Sequence, residues 1–363
     1  MMLSAPSQLL ERNIELFNDE GWLIINPADA YFTDRLTDLS LDVLHQYFDI
    51  YAESVRVIPC TILDSRDILT TQTGIFSDQK VGKHQHFFAP FLSTPQRYSN
   101  IVIYLPKAKA HYAMLIKMAA SLVQQGGSIY VVGENKGGIK SASKLLSNLG
   151  HVDKVDSARH CSLLRCEVAQ PQPDFDIQQS LSYFDIAVNG QEATIASLPG
   201  VFSHEELDEG THLLLEKLPS SLRGGILDFA CGAGIIGCLL KRQFPHLNIS
   251  YLDVSALALY STAHTLAESG LTGTLMAANG LHGVDEQFNH IVTNPPFHTG
   301  IKTDYTVTKR FIADAARLIT SGGNLHMVAN RFLPYPGLLA ETFERVQTLA
   351  QTNRFSVYQA IKV

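Results

Sequence analysis

The chain has 363 residues, 45% of them hydrophobic, a composition typical of a soluble globular protein with room for two domains. No apolar run approaches the ~20 residues of a membrane span, and the stretch from Met1 to Asn13 lacks the apolar core of a signal peptide. We therefore expect a cytosolic protein without a membrane partner. Its net charge of −7 argues at first against a nucleic-acid partner.

The five cysteines contain no CxxC pair and predict buried thiols without a metal. His84 and His86 are expected in a solvated turn.

The first predicted elements are short helices and strands. Leu9 to Glu20 has apolar residues at helical spacing and predicts a helix. Runs rich in β-branched residues predict strands at Trp22 to Ile25, Val55 to Leu63 and Ile101 to Leu105.

Positive charge is concentrated between residues 80 and 165, where 12 Lys and Arg stand against 3 Asp and Glu. The preceding residues hold 4 against 13, and the following residues hold 12 against 19. Such a block is either a solvated basic face or a surface that binds phosphates. Its candidates for phosphate contact are Lys107, Lys109, Lys136, Lys140 and Lys144.

A repeated pattern indicates two copies of one α/β unit. The stretches from Ser121 to Asn135 and from Arg317 to Arg331 both run from an apolar helix end through Gly-Gly into a buried strand. Each glycine pair fits a helix C-cap followed by a tight turn. Upstream, Ile101 to Lys107 aligns with Ile291 to Phe297, but the first copy lacks the amide and the aromatic ring. It also lacks a glycine-rich turn, so we expect no cofactor pocket there. Chance similarity of two helix-turn-strand units is the alternative.

A stretch rich in proline, glutamine and aspartate at residues 171–184 predicts a linker. The domains on either side of it are expected at 1–170 and 185–363.

Beyond the linker, a hairpin and a helix are predicted. Phe184 to Val188 and Ala193 to Ala196 form a strand pair around an Asn-Gly turn. His204 to Leu218 predicts a helix capped by Ser203, with Glu206 at the capping-box spacing.

A glycine turn between a strand and a helix predicts a cofactor site. Gly225 to Phe229 is a buried strand, Ile235 to Phe244 is a helix, and DFACGAG joins them. Glycines at this place let a ligand approach backbone N–H groups closely. The residues expected to contact the cofactor here are Asp228, Ala230, Gly232 and Gly234.

Two acids determine which ligand suits this turn. The strand from Ile249 to Leu252 ends in Asp253, whose carboxylate can accept both hydroxyls of a ribose; the alternative role for Asp253 is a helix N-cap. Gly237 completes a G-x-G-x-x-G pattern, so a dinucleotide site is a further alternative. Asp228 would repel a pyrophosphate but suits a cationic ligand, which favours S-adenosylmethionine.

The stretch from Ile291 to His298 is the predicted centre of the chemistry. Its strand is ended by two prolines, which leaves Asn294 at the carboxyl end, where open α/β sheets bind ligands. The Asn294 amide and the Pro295 carbonyl offer acceptors for an NH2 group, and Phe297 offers a flat apolar face. We predict these three as catalytic, with Asn294 also at the cofactor, and His298 as either a proton acceptor or a loop residue. A Pro-Pro loop after an ordinary strand is the alternative.

In this order, DFACGAG at 228–234, Asp253 and NPPF at 294–297 resemble class I S-adenosylmethionine-dependent methyltransferases that methylate amino groups. PGVFS at 199–203, NPPFHTG and the doubled layout are similar, more narrowly, to the bacterial ribosomal RNA small subunit methyltransferase C family. That resemblance implies two tandem Rossmann-like domains with twisted, mostly parallel sheets, the first degenerate and without cofactor. From the basic block we expect the first domain to dock RNA and to support the structure.

The resemblance also implies an activity and its partners. The methyl group of S-adenosylmethionine would go to the exocyclic N2 of a guanosine in 16S rRNA, with 16S rRNA or the 30S subunit as partner. Apart from the resemblance, we expect the protein to be a monomer. Relatives often place an acid after the third strand to hold the adenine amine; Asn279 stands there in this chain.

Other functions fit parts of the sequence. A methyltransferase acting on a protein glutamine, or on another nucleic-acid amino group, would share NPPF. A Rossmann oxidoreductase would explain the glycines only, and a non-enzymatic RNA-binding module needs neither feature.

Overall fold

A computed structural model describes residues 3–56, 59–170, 172–203, 205–295 and 305–363. The elements of the first half are, in chain order, α1 (Ala5–Arg12), β1 (Trp22–Ile25), β2 (Leu41–His45), α2 (Phe48–Val55), β3 (Cys60–Asp64), α3 (Ser65–Thr70), β4 (Ser77–Val81), β5 (His84–Phe88), β6 (Tyr98–Tyr104), α4 (Lys109–Leu122), β7 (Val123–Glu134), α5 (Ile139–Leu146), β8 (Gly150–Ala158) and β9 (Cys161–Val168).

The second half continues with a hairpin and then a second series of strands and helices. They are β10 (Ser182–Val188), β11 (Gln191–Ser197), α6 (Glu209–Lys217), β12 (Gly225–Phe229), α7 (Ile235–Gln243), β13 (Asn248–Asp253), α8 (Ala256–Glu268), β14 (Thr274–Ala278), β15 (Phe288–Thr293), α9 (Tyr305–Leu318), β16 (Ile319–Asn330), α10 (Tyr335–Ala340), β17 (Arg345–Gln351) and β18 (Phe355–Ile361).

The described chain divides into two compact units, each with its own hydrophobic core. The second unit includes residues 59–70, which are expected from the sequence in the first domain. The first unit is built from the described residues of Met1–Ile58, Thr71–Leu181 and Leu198–Gly200, and the second from those of Pro59–Thr70, Ser182–Ser197 and Val201–Val363.

The eight-stranded sheets of the two units have the same strand order and directions. The order is β4-β5-β2-β1-β6-β7-β9-β8 in the first and β3-β14-β13-β12-β15-β16-β18-β17 in the second. In each sheet the second to sixth strands are parallel, and the other three are antiparallel to their neighbours. The predicted fold of two Rossmann-like units with mostly parallel sheets is confirmed.

The outer edge strand has a different origin in the two sheets. β4 forms a hairpin with β5, whereas β3 comes from the first half of the chain and pairs antiparallel with β14. Ser65 N donates to the Gly273 carbonyl at 3.1 Å, and Gly273 N donates to Ser65 Oγ at 3.0 Å. Pro59 packs on Gly283, where any Cβ would overlap it. The single strand predicted for Val55 to Leu63 is wrong, since a helix ends and a strand begins within it.

The two Gly-Gly pairs lie inside strands rather than at helix ends. The helices α4 and α9 end before the glycines, at Leu122 and Leu318. The strands β7 and β16 begin at the residue that directly follows each helix. A Cβ on Gly127 would lie 2.7 Å from the carbonyl oxygen of Ser99, and a Cβ on Gly323 would overlap that of Asn289. The predicted helix C-caps are therefore wrong, but the positive φ expected of a tight turn is present at Gly126 (74°) and Gly322 (77°). Gly127 and Gly323 are needed because the backbone of the neighbouring strand passes close by.

The first helix is shorter and earlier than predicted. Instead of Leu9 to Glu20, α1 spans Ala5–Arg12 and is followed by a 3-10 turn. Ser4 Oγ accepts from the backbone of Ser7 at 3.3 Å and so caps the start. The helix ends at Arg12, and the side chain of the C-cap residue Asn13 donates to the Leu9 carbonyl at 2.8 Å.

His84 and His86 lie in β5 and are buried, so the predicted solvated turn is wrong. His86 Nδ1 and His45 Nε2 share a hydrogen bond of 3.0 Å. Burial lowers the pKa of His86 to about 4 and that of His45 well below its usual range.

Several local predictions are confirmed. β1, β12 and β13 lie where the sequence placed them, and β10 and β11 form the hairpin, with positive φ at Asn189 (52°) and Gly190 (73°). Four cysteines are buried thiols and Cys60 is half-buried. In the part of the chain that the structure describes, no helix is long and apolar enough to cross a membrane.

Candidate active site

Three neighbouring strands of the second sheet end at one level. Phe229 of β12 pairs with Leu252 of β13 and with Thr293 of β15. The residues that follow stand side by side at the carboxyl edge: Ala230, Asp253 and Asn294. Because parallel strands lie about 5 Å apart, the outer two are roughly 10 Å from each other. The chain passes from β12 to β13 on one side and returns to β15 on the other, which is the switch point where such sheets bind ligands.

The glycine turn after β12 is held by its neighbours but is open on one side. Ala230, Gly232 and Gly234 have φ values of 55°, 56° and 75°. Gly232 N donates to Asp253 Oδ2 at 2.9 Å, and the Gly232 carbonyl accepts from Thr262 Oγ1 at 2.9 Å. A Cβ on Gly234 would lie 2.7 Å from Thr262 Cγ2, whereas one on Gly232 would meet nothing nearer than 3.9 Å. A ligand can therefore approach the backbone at Gly232.

The two acids of the site differ in accessibility. Asp228 is fully buried; its Oδ2 accepts from Gly237 N at 2.8 Å, and its Oδ1 is buried without a partner among the described residues. Burial raises the pKa of Asp228 well above its usual range, and the Asp253 charge adds to this. Asp228 therefore supports the turn from the interior.

Asp253 is only half-buried and faces the turn. It accepts from Ser255 N on Oδ1 and from Gly232 N on Oδ2, each at 2.9 Å. Each oxygen retains a lone pair for a ribose hydroxyl. Burial raises the pKa of Asp253. Ser255, not Asp253, caps α8, which removes the alternative role for this acid.

Gly237 is needed for packing. It lies in α7, and a Cβ there would overlap the ring of Tyr251, which is 1% exposed on β13. The third glycine of the G-x-G-x-x-G pattern therefore has a reason in helix–strand packing alone and carries no information about a pyrophosphate.

Two hydrogen bonds orient Asn294. Its Nδ2 donates to Asp208 Oδ2 and to Thr211 Oγ1, both at 2.9 Å. Because an ionised carboxylate can only accept, the amide must turn its NH2 group toward Asp208. Oδ1 of Asn294, an acceptor, has no hydrogen bond to any residue that the structure describes and is therefore the part of the side chain left over for a ligand.

Neither partner of Asn294 is predicted from the sequence, because the expected helix starts too early. Ser203 has a φ of 59°, unlike an N-cap, and α6 begins at Glu209 with Asp208 as its cap. Asp208 Oδ2 accepts from Thr211 N at 2.9 Å. The available signal was Asp208 itself, since aspartate caps helices as well as serine does.

The remaining predicted site residues are placed unevenly. Pro295 directly follows Asn294 and is buried, whereas Phe297 and His298 lie outside the described residues. Asn279 is exposed and follows β14, the strand next to β13, so it stands at the same edge one strand beyond Asp253. Across the described ranges, no group of three or more His, Cys, Asp or Glu could hold a metal ion.

The five candidate lysines are exposed and lie in the first unit. Lys107 and Lys109 follow the carboxyl end of β6, and Lys136 follows that of β7, its parallel neighbour. Lys140 and Lys144 lie one turn apart on α5. The first three therefore share the edge that, in the second unit, carries Asn294.

Known proteins match the whole chain. The family described as methyltransferase small domain matches residues 192–359, and the methyltransferase small domain N-terminal family matches 7–184. The ribosomal RNA small subunit methyltransferase C of Alteromonas mediterranea is 58% identical, with 99% of each chain covered. The protein of that name from Pseudoalteromonas atlantica is 41% identical, covering 98% of this chain and 99% of that one.

A solved structure has the same fold. A 16S rRNA N2 methyltransferase from T. thermophilus, in complex with AdoMet and guanosine, has a TM-score of 0.79 and 24% identity, covering 99% of this chain and 92% of that one. Fold, glycine turn and family models define the class: the chain is an S-adenosylmethionine-dependent methyltransferase. It belongs to the ribosomal RNA small subunit methyltransferase C family, and the predicted cofactor and family are confirmed.

Proposed function

We propose that this protein transfers the methyl group of S-adenosylmethionine to the exocyclic N2 of a guanosine in 16S rRNA. The observation that carries the proposal is the orientation of Asn294, whose Oδ1 is left to accept a hydrogen bond at the carboxyl edge. The names of the relatives support rRNA of the small subunit as the substrate, and the guanosine bound to the T. thermophilus protein supports the base.

The glycine turn and its acids suit S-adenosylmethionine, which supplies a methyl group on a positively charged sulfur. The open backbone at Gly232 admits the cofactor, and Asp253 would accept from the ribose hydroxyls. Asn279, one strand beyond, would accept from the adenine amine. The residues that shape the turn without a proposed bond of their own are Asp228, Ala230 and Gly234.

An exocyclic guanine amine is a weak nucleophile because its lone pair is delocalised into the ring. Asn294 Oδ1 and the Pro295 carbonyl would accept its two hydrogens and so direct the lone pair, while Phe297 would stack on the base. Positioning of this kind can contribute on the order of 7 kcal/mol. A strong base is not needed, because the nitrogen loses its proton after it has become cationic.

The exposed lysines of the first unit would dock the rRNA through its phosphates. Lys107, Lys109 and Lys136 lie together at one sheet edge, and two more lie on α5. In this proposal residues 1–170 dock RNA and support the structure, 171–184 join the halves, and 185–363 carry out catalysis. The protein would act as a monomer in the cytoplasm, on 16S rRNA or on the 30S subunit.

Methyl transfer tests the activity directly. The protein is incubated with labelled S-adenosylmethionine and with 16S rRNA, 30S particles or a release-factor protein, and the product nucleoside is identified. Label in N2-methylguanosine supports the proposal; label in protein glutamine would replace it with the rival methyltransferase activity. Asn294→Ala should abolish transfer while calorimetry shows S-adenosylmethionine still bound, and near-normal turnover would contradict the assigned role.

Salt-dependent RNA binding tests the lysines. Replacing Lys136, Lys140 and Lys144 together by Glu should weaken RNA binding. The slope of log K against the logarithm of the salt concentration should become shallower by roughly 0.7 to 0.9 for each phosphate that is no longer neutralised. A matched triple change elsewhere in the basic block should have a much smaller effect at the same net charge. The test set is Lys136, Lys140 and Lys144, and the control set is Lys80, Lys83 and Lys154. Equal effects of the two sets would show that only total charge matters.

A further inference from the structure

Phe332 is an exposed aromatic side chain on a fixed turn. It follows β16 in the second unit and is 81% exposed, although the next residue, Leu333, is buried. Leu333 N donates to the Asn330 carbonyl at 3.1 Å, and Arg331 N donates to the Arg354 carbonyl at 2.8 Å. These bonds hold the turn on both sides, so the ring is presented to solvent by an ordered backbone.

The turn lies beside the proposed amine site. β15 and β16 are parallel neighbours, with Thr293 opposite Met327, so Asn294 stands level with the residue after Met327. β16 continues for two more residues before the turn that carries Phe332. With about 3.3 Å per strand residue and about 5 Å between strands, the ring stands on the order of 10 Å from Asn294. That is the reach of one or two nucleotides.

The charges around the ring suit a nucleic acid. Arg331, next to Phe332, is exposed. Arg354 lies on the adjoining turn, stacks over the Phe355 ring at 5.3 Å and pairs with Glu209 at 2.7 Å. Arg331 can therefore meet a phosphate directly, while Arg354 is partly neutralised. A single ring beside cations matches the way proteins bind single strands, by stacking bases and contacting the backbone.

The first unit has a different residue at the equivalent place. β7 ends at Glu134 as β16 ends at Asn330, and the glycine pairs align at the same offset, so Phe332 corresponds to Lys136. One copy of the edge thus carries an ammonium group and the other carries an aromatic ring. The fold does not require an aromatic ring at this position, because the same turn forms in the first unit with a lysine.

We propose that Phe332 stacks on the base of an unpaired nucleotide adjacent to the target guanosine and so sets the register of the RNA at Asn294. This inference rests on the proposed rRNA methyltransferase activity. A protein partner is disfavoured because docking between proteins needs a contiguous apolar patch of several hundred Å2, whereas this ring lies between an exposed arginine and a buried leucine.

Substitution separates stacking from general apolar contact. Phe332→Ala should raise KM for the rRNA substrate on the order of tenfold, with S-adenosylmethionine affinity and Tm unchanged because the side chain is exposed. Phe332→Trp should restore KM, and Phe332→Leu should not. Tyr183, 50% exposed on β10 near Glu268, is the matched control, and Tyr183→Ala should leave KM unaltered.

Crosslinking gives a readout independent of turnover. With p-benzoylphenylalanine in place of Phe332, light should link the full-length protein to nucleotides flanking the methylated guanosine, mapped by primer-extension stops. An unchanged KM for Phe332→Ala, full activity of Phe332→Leu, or crosslinks to ribosomal protein instead of RNA would each overturn stacking. Absence of rRNA methylation by the unaltered protein would overturn the proposed function itself, so the two failures are distinct.

Discussion

Replacing Asp208 by serine should lower kcat by releasing the amide of Asn294. Serine is as good an N-cap as aspartate, so its hydroxyl can still accept from Thr211 N and keep α6 in place. Its oxygen stands one atom closer to the backbone and cannot also serve Asn294. The change therefore removes the acceptor of the 2.9 Å bond from Asn294 Nδ2 while sparing the helix.

The size of the effect follows from the two bonds. In the native site, turning the amide over would place Oδ1 against a carboxylate, and losing one charge-assisted bond costs about 1.5 to 3 kcal/mol. Over nine-tenths of the molecules are thus held in one orientation. With Asp208→Ser only the Thr211 hydroxyl remains, which can accept or donate and so does not distinguish the orientations. Flipping alone then halves the competent population.

Loss of position adds to this factor. An amide held by one neutral bond moves more freely, and a misplacement of about 1 Å can cost on the order of 100-fold in rate. We expect kcat to fall about tenfold, or ~1.4 kcal/mol in the barrier, with S-adenosylmethionine affinity and Tm close to native.

Single-turnover methyl transfer, calorimetry of cofactor binding and thermal melting together measure these quantities. Thr211→Val is the control: Asp208 remains and still fixes the orientation, so kcat should stay within a few-fold of native. A native kcat for Asp208→Ser, or equal losses for both variants, would refute the orienting role.

Three further changes test the packing and the buried histidines. Gly237→Ala should destabilise the protein by about 1 to 3 kcal/mol in chemical denaturation, because the new Cβ meets the buried Tyr251 ring; native stability would show that α7 can move away. Gly283→Ala should cost more than Gly280→Ala, since both have positive φ (75° and 62°) but only the first meets the proline before β3; equal melting points would exclude that contact as the cause. The lowered pKa of His86, about 4, keeps it neutral in the folded state, so its contribution is present above pH ~6.5 and lost as pH falls toward 4; His86→Leu should flatten this part of the stability profile, and an unaltered profile would assign the acid loss to other groups.

The parts of the site that lie close together in sequence could be predicted from it. The glycine turn, Asp253 and Asn294 each sit within a few residues of the strand end that positions them. Strand ends of a parallel sheet meet at one edge, so the sequence also indicated that these groups share a site.

Contacts between distant residues could not be predicted in the same way. Asp208 and Asn294 are 86 residues apart, and nothing near either of them names the other. The prediction for His84 and His86 is wrong because two polar residues flanking a glutamine look like a turn; buried alternation in β5 is visible only once its neighbours are placed. The Gly-Gly pairs correctly indicated a turn with positive φ at the first glycine, but the second glycine is required by a neighbouring strand that the sequence does not reveal.

The strand that the first half of the chain supplies to the second sheet also imposes an order of events during synthesis. Ser65, just after β3, bonds to a partner 208 residues later. At typical elongation rates of 5 to 20 residues per second, β3 leaves the ribosome about 10 to 40 s before β14 exists. During that interval the segment has no strand to pair with, while the residues on either side of it can already join the first sheet. The second sheet therefore contains one strand that is synthesised well before the rest of that sheet, and a ribosome that stalls between β3 and β14 would hold an unpaired strand able to join another chain.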